Sequence, residues 1–390
     1  MSFQYSSNVS AATPGTMMRL LKDTLVANGW KLMGSSSGSG VSVTQSTTIA
    51  AGSNGAVLPQ STINVTDSTT VAPRAFPASG TIAVYNNAGA RQVITYTGRV
   101  GTTFTGCTGG TGTLATGGVV SYDWWTTDTI AGTSGAWIRL QMPTANSVNR
   151  ELVFQCGTNG DQYWNIRYSY SAAFTASTPT ATTIPTSSPA SKIILDGTAA
   201  GGGLFTDATG MTGLVVCDNA TPYGFAFIAN GTGTAGDGAF MDPMVSGTYD
   251  AADVDPYVFG AGFGLFTEAN MGVSTTSSFT QGFHKKGLGG EGFVTIGAMA
   301  PYCQGGVGTT AFFGVDAYSG YDVAIGMNWA RIASATAPRG WKGTSTFFKL
   351  IMVSRNRKDT ISTTGTNTRD YLVCSDANLF AIKWSGVVPA

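Results

Sequence analysis

A chain with this few charges must satisfy most of its polar groups through its own backbone and through hydroxyls and amides. That requirement constrains the fold more than any motif does. Asp, Glu, Lys and Arg make up 11% of the 390 residues, against about 25% in an average soluble domain. There is one histidine, His284, and glycine occupies 53 positions. Such a composition favours tight turns, strands and close backbone contacts. It supplies few groups for acid–base, metal or phosphate chemistry. The expectation is a β-rich protein that packs against copies or neighbours, not an enzyme.

The hydrophobic share of 42% is enough to bury a core, so the Gly/Ser/Thr content does not imply disorder. Lys and Arg number 21, as do Asp and Glu. A neutral chain without clustered cations has no electrostatic grip on nucleic acid, and near-zero net charge favours association. No run reaches the eighteen or so apolar residues of a membrane span. The opening MSFQYSSNVS lacks the basic head and apolar centre of a signal peptide, which predicts a chain made and folded in a cytoplasm. The cysteines, at 107, 156, 217, 303 and 374, are odd in number and widely spaced. They read as buried free thiols, not as a zinc or disulfide framework.

One segment has clear helical signals. Thr13-Pro14 supplies a cap and a first-turn proline, Met17, Leu21 and Leu25 recur at intervals of four, and Asn28-Gly29 closes the helix. Its apolar stripe has to dock on another surface. Residues Gly34 to Gly40 are all Gly or Ser and read as a flexible linker. The chain then divides into residues 1–43 (docking helix and linker), 44–120 (an inserted small β module) and 121–390 (a main β-rich domain). In the module, short Thr/Val/Ile/Tyr runs around Thr81–Tyr85, Gln92–Thr97 and Thr102–Thr105 alternate with turns at Asn86–Gly89 and Gly98–Gly101. This is the pattern of hairpins in a meander. Further strands are expected at Trp137–Leu140, Glu151–Gln155 and Tyr163–Tyr170, and near 213–217, 223–229, 256–259, 347–353, 371–373 and 379–384. Residues Thr178–Pro189 read as a loop or extended arm, and the basic run Arg355–Lys358 as a solvated hairpin turn. The predicted fold class is mainly β, in β-sandwich or β-meander domains, with one short N-terminal amphipathic helix.

Three stretches of the module carry a likeness: Phe76-Pro-Ala-Ser-Gly-Thr-Ile82, Ile94-Thr-Tyr-Thr-Gly98 and Thr103-Phe-Thr-Gly-Cys-Thr-Gly109. Together they resemble a small β module of tailed-bacteriophage structural proteins, which commonly reads F-P-x-S-G … Y-T-G … F-T-G-C-x-R-G. Gly109 stands where that pattern has Arg. A looser likeness to phage virion proteins runs through Ala27-Asn-Gly-Trp30, Trp137-Ile-Arg-Leu140, Arg150-Glu-Leu-Val-Phe154, Trp164-Asn-Ile-Arg-Tyr-Ser169 and Asp255-Pro-Tyr257. The resemblance implies a component of a phage particle, of the tail or baseplate type, and brings no catalytic residues with it.

Each catalytic alternative has a structural counterpart. His284, in Gly282-Phe-His-Lys-Lys-Gly287, has no second histidine for a metal and no nucleophile motif beside it. Gly34-Ser-Ser-Ser-Gly38 matches G-x-S-x-G but lies in a Gly/Ser run without a strand–elbow–helix setting. Glycoside cleavage needs two carboxylates. Asp237, Asp242, Asp250, Asp253 and Asp255 cluster, with Tyr249 and Tyr257 near them in sequence. Asp-Gly and Asp-Pro pairs more simply initiate turns. The same aspartates lack the spacing of a calcium loop. Gly201–Gly203 and Gly231–Gly238 lack the Lys-Ser/Thr of a phosphate cradle.

The expected role is a non-enzymatic structural protein of a tailed-phage virion, in the tail or baseplate, acting by symmetric assembly with copies of itself and with other virion proteins. The alternative is an exposed receptor-binding or capsid-decoration protein that contacts host glycan or envelope. No cofactor, metal, nucleic acid or membrane span is expected. The interface candidates are Met17, Leu21, Leu25 and Trp30 at the helix, and the pair Trp124 and Trp125.

Overall fold

The computed structural model describes residues 3–6, 14–36, 46–66, 76–122, 137–142, 151–156, 163–169, 192–196, 213–218, 224–230 and 236–243. It also describes the strands at 257–262, 282–285, 293–294, 296–299, 324–334, 337–351, 360–361, 371–373 and 380–383. This part of the protein is mostly antiparallel β, with one short helix near the N-terminus. Among the described residues no helix is long and apolar enough to cross a membrane. The chain forms two compact units. One joins residues 1–28, 162–166 and 185–390; the other joins 29–161 and 167–184.

In the first unit, strand β1 (Phe3–Ser6) precedes helix α1 (Pro14–Ala27). The sequence signals for the helix act as expected. Pro14 opens it, and Gly29 ends it at φ 95°. The Asn28 side-chain Nδ2 donates to the Thr24 carbonyl at 2.8 Å and so takes up an end carbonyl. Leu21 and Leu25 are fully buried. A seven-stranded sheet begins with β1 and then runs as a meander through residues 213–218, 225–230, 236–243, 257–262, 282–285 and 293–294. A second sheet contains a long hairpin of residues 324–334 and 337–351, whose register shifts repeatedly. Phe240 of the first sheet and Phe348 of the second meet edge to face, 5.2 Å between ring centres.

The second unit opens with β2 (Lys31–Ser36). Gly34–Ser36, expected as the start of a linker, lie inside this strand; residues 37–40 fall outside the described set. The strand forms because it has a partner. It pairs antiparallel with β12 (Trp137–Gln141), with a bulge between Arg139 and Leu140, and β12 pairs in turn with β13 (Glu151–Cys156). The unit boundary falls after Asn28, and the module shares its unit with these three strands.

The module lies between β2 and β12 in sequence. It contains β3 (Ser46–Thr48), β4 (Val57–Leu58), β5 (Thr62–Asn64), β6 (Gly80–Tyr85) and β7 (Arg91–Tyr96). It continues with β8 (Gly98–Val100), β9 (Thr103–Thr105), β10 (Gly112–Thr113) and β11 (Val119–Tyr122). One sheet has the order β3-β11-β6-β7, a second β5-β9-β8, and β4 pairs with β10. Bridges at Ile49–Val65 and Thr95–Thr108 stitch the two larger sheets together at their edges. Stitching of this kind leaves few unpaired backbone groups for other chains to join.

The core between the sheets includes Ile63, Val65, Ile82, Val84, Ile94, Tyr96, Phe104 and Val120. Phe104 is its centre. Its ring lies 5.1 Å from that of Phe76, edge on, and 4.7 Å from that of Tyr96. Two of the stretches that resemble the phage module supply Phe76 and Phe104, and a third supplies Tyr96. We expect Phe104→Ala to destabilise the module by about 3–5 kcal/mol, read as a lower denaturant midpoint for its unfolding.

Candidate interaction surface

The outward surface of the module begins with its turns. Between β6 and β7, Asn86 Oδ1 accepts the amides of Ala88 at 3.1 Å and Ala90 at 3.0 Å. A short amide side chain that folds back on its own loop is what the Asn-Asn-Ala-Gly sequence favours. The Asn87 amide donates to the Thr113 carbonyl at 2.9 Å, and the Thr111 amide donates to Gln92 Oε1 at 2.8 Å. Two loops distant in sequence are thereby tied into one polar shelf. Across the described residues 46–66 and 76–122 the only charged side chains are Arg91 and Arg99. Neutral amides and hydroxyls can enter a protein interface without stripping water from ions, which is the costly part of burying charge. Val57, Val93 and Val100 add apolar area, exposed to 63%, 47% and 71%.

The inward-facing chemistry is closed. The Tyr96 hydroxyl donates to the Pro77 carbonyl at 2.8 Å. Burial first, and then the neighbouring Tyr122, push its pKa well above the ordinary phenol value. Burial likewise pushes the Cys107 thiol up to about 11, so it is protonated at neutral pH. Cys107 and Cys217 are both buried and form no disulfide.

The opposite face of the sheet β3-β11-β6-β7 is not solvent-facing throughout. Ala83 and Ser121, paired across β6 and β11, are small and buried. The Leu32 amide of β2 donates to the Tyr85 hydroxyl at 2.6 Å. The Ser121 hydroxyl donates to the Leu32 carbonyl at 2.6 Å. The Ser35 hydroxyl donates to the Tyr122 carbonyl at 2.9 Å, and Lys31 Nζ lies 5.8 Å from the centre of the Tyr85 ring. The module is therefore fastened to β2 by hydroxyl–backbone bonds at the same time as it shows a neutral shelf elsewhere.

The residues expected at interfaces are distributed differently. Leu21, Leu25 and Trp30 are buried inside their own chain. Much of the helix's apolar stripe is thus used internally and not held out to a neighbour. Met17 lies in the same helix, but its side chain is outside the described set. Trp124 and Trp125 also lie outside it, as do Asp250, Asp253, Asp255 and the run 355–358. Asp237 and Asp242 do not initiate turns. Both lie in the strand 236–243, whose pairing on both sides overrides the local turn signal. Asp242 is fully buried, out of reach of a saccharide. His284 lies in a short strand opposite Val294. Among the described residues no group of His, Cys, Asp and Glu is arranged to hold a metal ion.

Tyr85, Ser121 and Ser35 were not singled out in the sequence. One signal was available: Thr81–Tyr85 carries apolar residues at both parities, which marks a strand covered on both faces.

No known family, curated protein or solved structure matches the chain.

Two outcomes follow from this geometry. Gly109 has φ 91°, and a Cβ built there would lie 2.8 Å from the Val93 carbonyl oxygen. The arginine of the resembling pattern does not fit this backbone, and Gly109→Arg should lower the module's stability by roughly 1–3 kcal/mol in denaturant titrations. The second outcome concerns pH. The native Cys107 thiol holds its proton more tightly than the unfolded one, so its contribution is complete below the ordinary value near 9 and is lost towards about 11. The melting temperature should fall between pH 9 and about 11, and Cys107→Ala should make that fall shallower.

Proposed function

We propose that this chain is a non-enzymatic structural component of a tailed-phage particle, in the tail or baseplate, built in as several symmetric copies. The observation that carries the reading is where the resembling residues lie. Phe76, Tyr96, Phe104 and Cys107 lie in the core of one stitched β module, so the likeness falls on residues that determine a fold. The neutral shelf of Asn86, Gln92 and Thr111 supports the assembly role, since a surface with few ions loses little when a neighbour covers it. The buried Asp242 and the protonated Cys107 thiol fit a non-catalytic role.

The test is mass spectrometry of density-purified particles from a phage that encodes the chain. The chain should co-purify at a fixed ratio to other particle proteins, and disruption of its gene should give incomplete particles. Presence only in the infected-cell lysate, with normal particles formed without it, is the outcome that sinks this reading.

The exposed Val57, Val93 and Val100 favour a second reading, an outward contact with host glycan or envelope that gains strength from many copies. In that case excess purified protein should compete with particles for adsorption to host cells. An internal component leaves adsorption unchanged.

A further inference from the structure

We propose that the module acts as an edge guard for the sheet that contains β2, and that the contact it prevents is β2-to-β2 pairing with a second copy of this chain. The inference is independent of the particle reading. β2 is the outermost strand of its sheet, paired with β12 on one side. An outermost strand presents amides and carbonyls that recruit another strand. At Leu32 both outward groups are taken by side chains of the module: the amide by the Tyr85 hydroxyl and the carbonyl by the Ser121 hydroxyl, each at 2.6 Å. Three residues further on, the Ser35 hydroxyl of β2 donates to the Tyr122 carbonyl of β11.

The use of side chains is the informative point. A strand that paired with β2 would satisfy Leu32 and then offer its own free edge to the next chain. A hydroxyl satisfies the same groups and offers nothing further, so the ladder stops. The small pair Ala83 and Ser121 suits close approach by β2, and Ala83, Ser121 and Tyr85 are all buried, which keeps water from competing for the bonds. The second copy is the partner to expect because an antiparallel pair of identical edges is self-complementary. The chain's balance of 21 basic and 21 acidic residues gives no net repulsion between copies. Within β2 itself Lys31 is the only charge.

The test is the double variant Tyr85→Phe with Ser121→Ala in the full chain. It keeps the buried ring and nearly all the volume while removing both hydroxyls. Hydrogen–deuterium exchange should speed up at the Leu32 amide by about tenfold or more, as befits the loss of a buried bond. Sedimentation velocity should show a new species, twice the starting mass, that grows with concentration, while far-ultraviolet circular dichroism stays native. Native-rate exchange at Leu32 overturns the cap itself. Faster exchange with an unchanged mass distribution overturns the guarding role. If the double variant does not fold, Tyr85→Phe alone frees the amide while Ser121 still holds the carbonyl, and the same two readouts decide.

Discussion

In the second unit of this protein, one residue's backbone amide and carbonyl both need partners that their own sheet does not supply. Leu32 lies on the outermost strand of a sheet, and its amide and carbonyl face away from the strand that pairs with it. Left buried without partners, each group would cost on the order of 1–3 kcal/mol. Tyr85 and Ser121 satisfy both. The same bonds set how the module sits on β2, because two hydroxyls on neighbouring strands must reach one residue at once. Side chains near them are constrained accordingly: position 83 is small, and position 85 is an aromatic with a polar tip.

This arrangement gives the charge poverty of the chain a mechanism. Where many proteins would use ion pairs, the described module uses backbone acceptors and neutral side chains. Asn86 holds its own turn, Gln92 holds Thr111, and Asn54 accepts the Thr116 amide at 3.0 Å. Such bonds are weakly sensitive to salt, since no ion atmosphere screens them. Glycine serves the same economy at 109, where only a residue without a side chain can pass beside the Val93 carbonyl.

What the sequence revealed and what it hid divide along a physical line. Helix α1 was legible because its signals are local: a proline at the first turn, a four-residue apolar interval, and Asn-Gly at the end. β6 and β7 were legible for the same reason, with strand formers flanking an Asn/Gly turn. β2 was not, because Gly34–Ser36 have little strand preference of their own and are extended by pairing with β12. Asp237 and Asp242 misled in the opposite sense: their turn preference is real but weaker than the ladder each one joins, Asp237 opposite Ala229 and Asp242 opposite Val258. Residues 337–346, with Pro338, Gly340 and Gly343 among them, are likewise held in a long strand by their partner at 324–334, with repeated shifts of register. Of the candidate surface, the turn at Asn86–Gly89 was visible beforehand. The meeting of Tyr85 and Ser121 at Leu32 spans 53 and 89 residues of sequence, a distance over which no local pattern carries information.

The antiparallel pairing of β2 with β12 means that these strands are neighbours in space with residues 37–136 between them. In effect they form a hairpin that has a folded body for its turn. A loop of that length would slow the closing of an ordinary hairpin, although the entropic cost rises only with the logarithm of length. Here the loop contains its own core, and once folded it presents Tyr85 and Ser121 as a template for Leu32. The two strands are thus joined through a folded body, and one of them is bonded to its surface at Leu32.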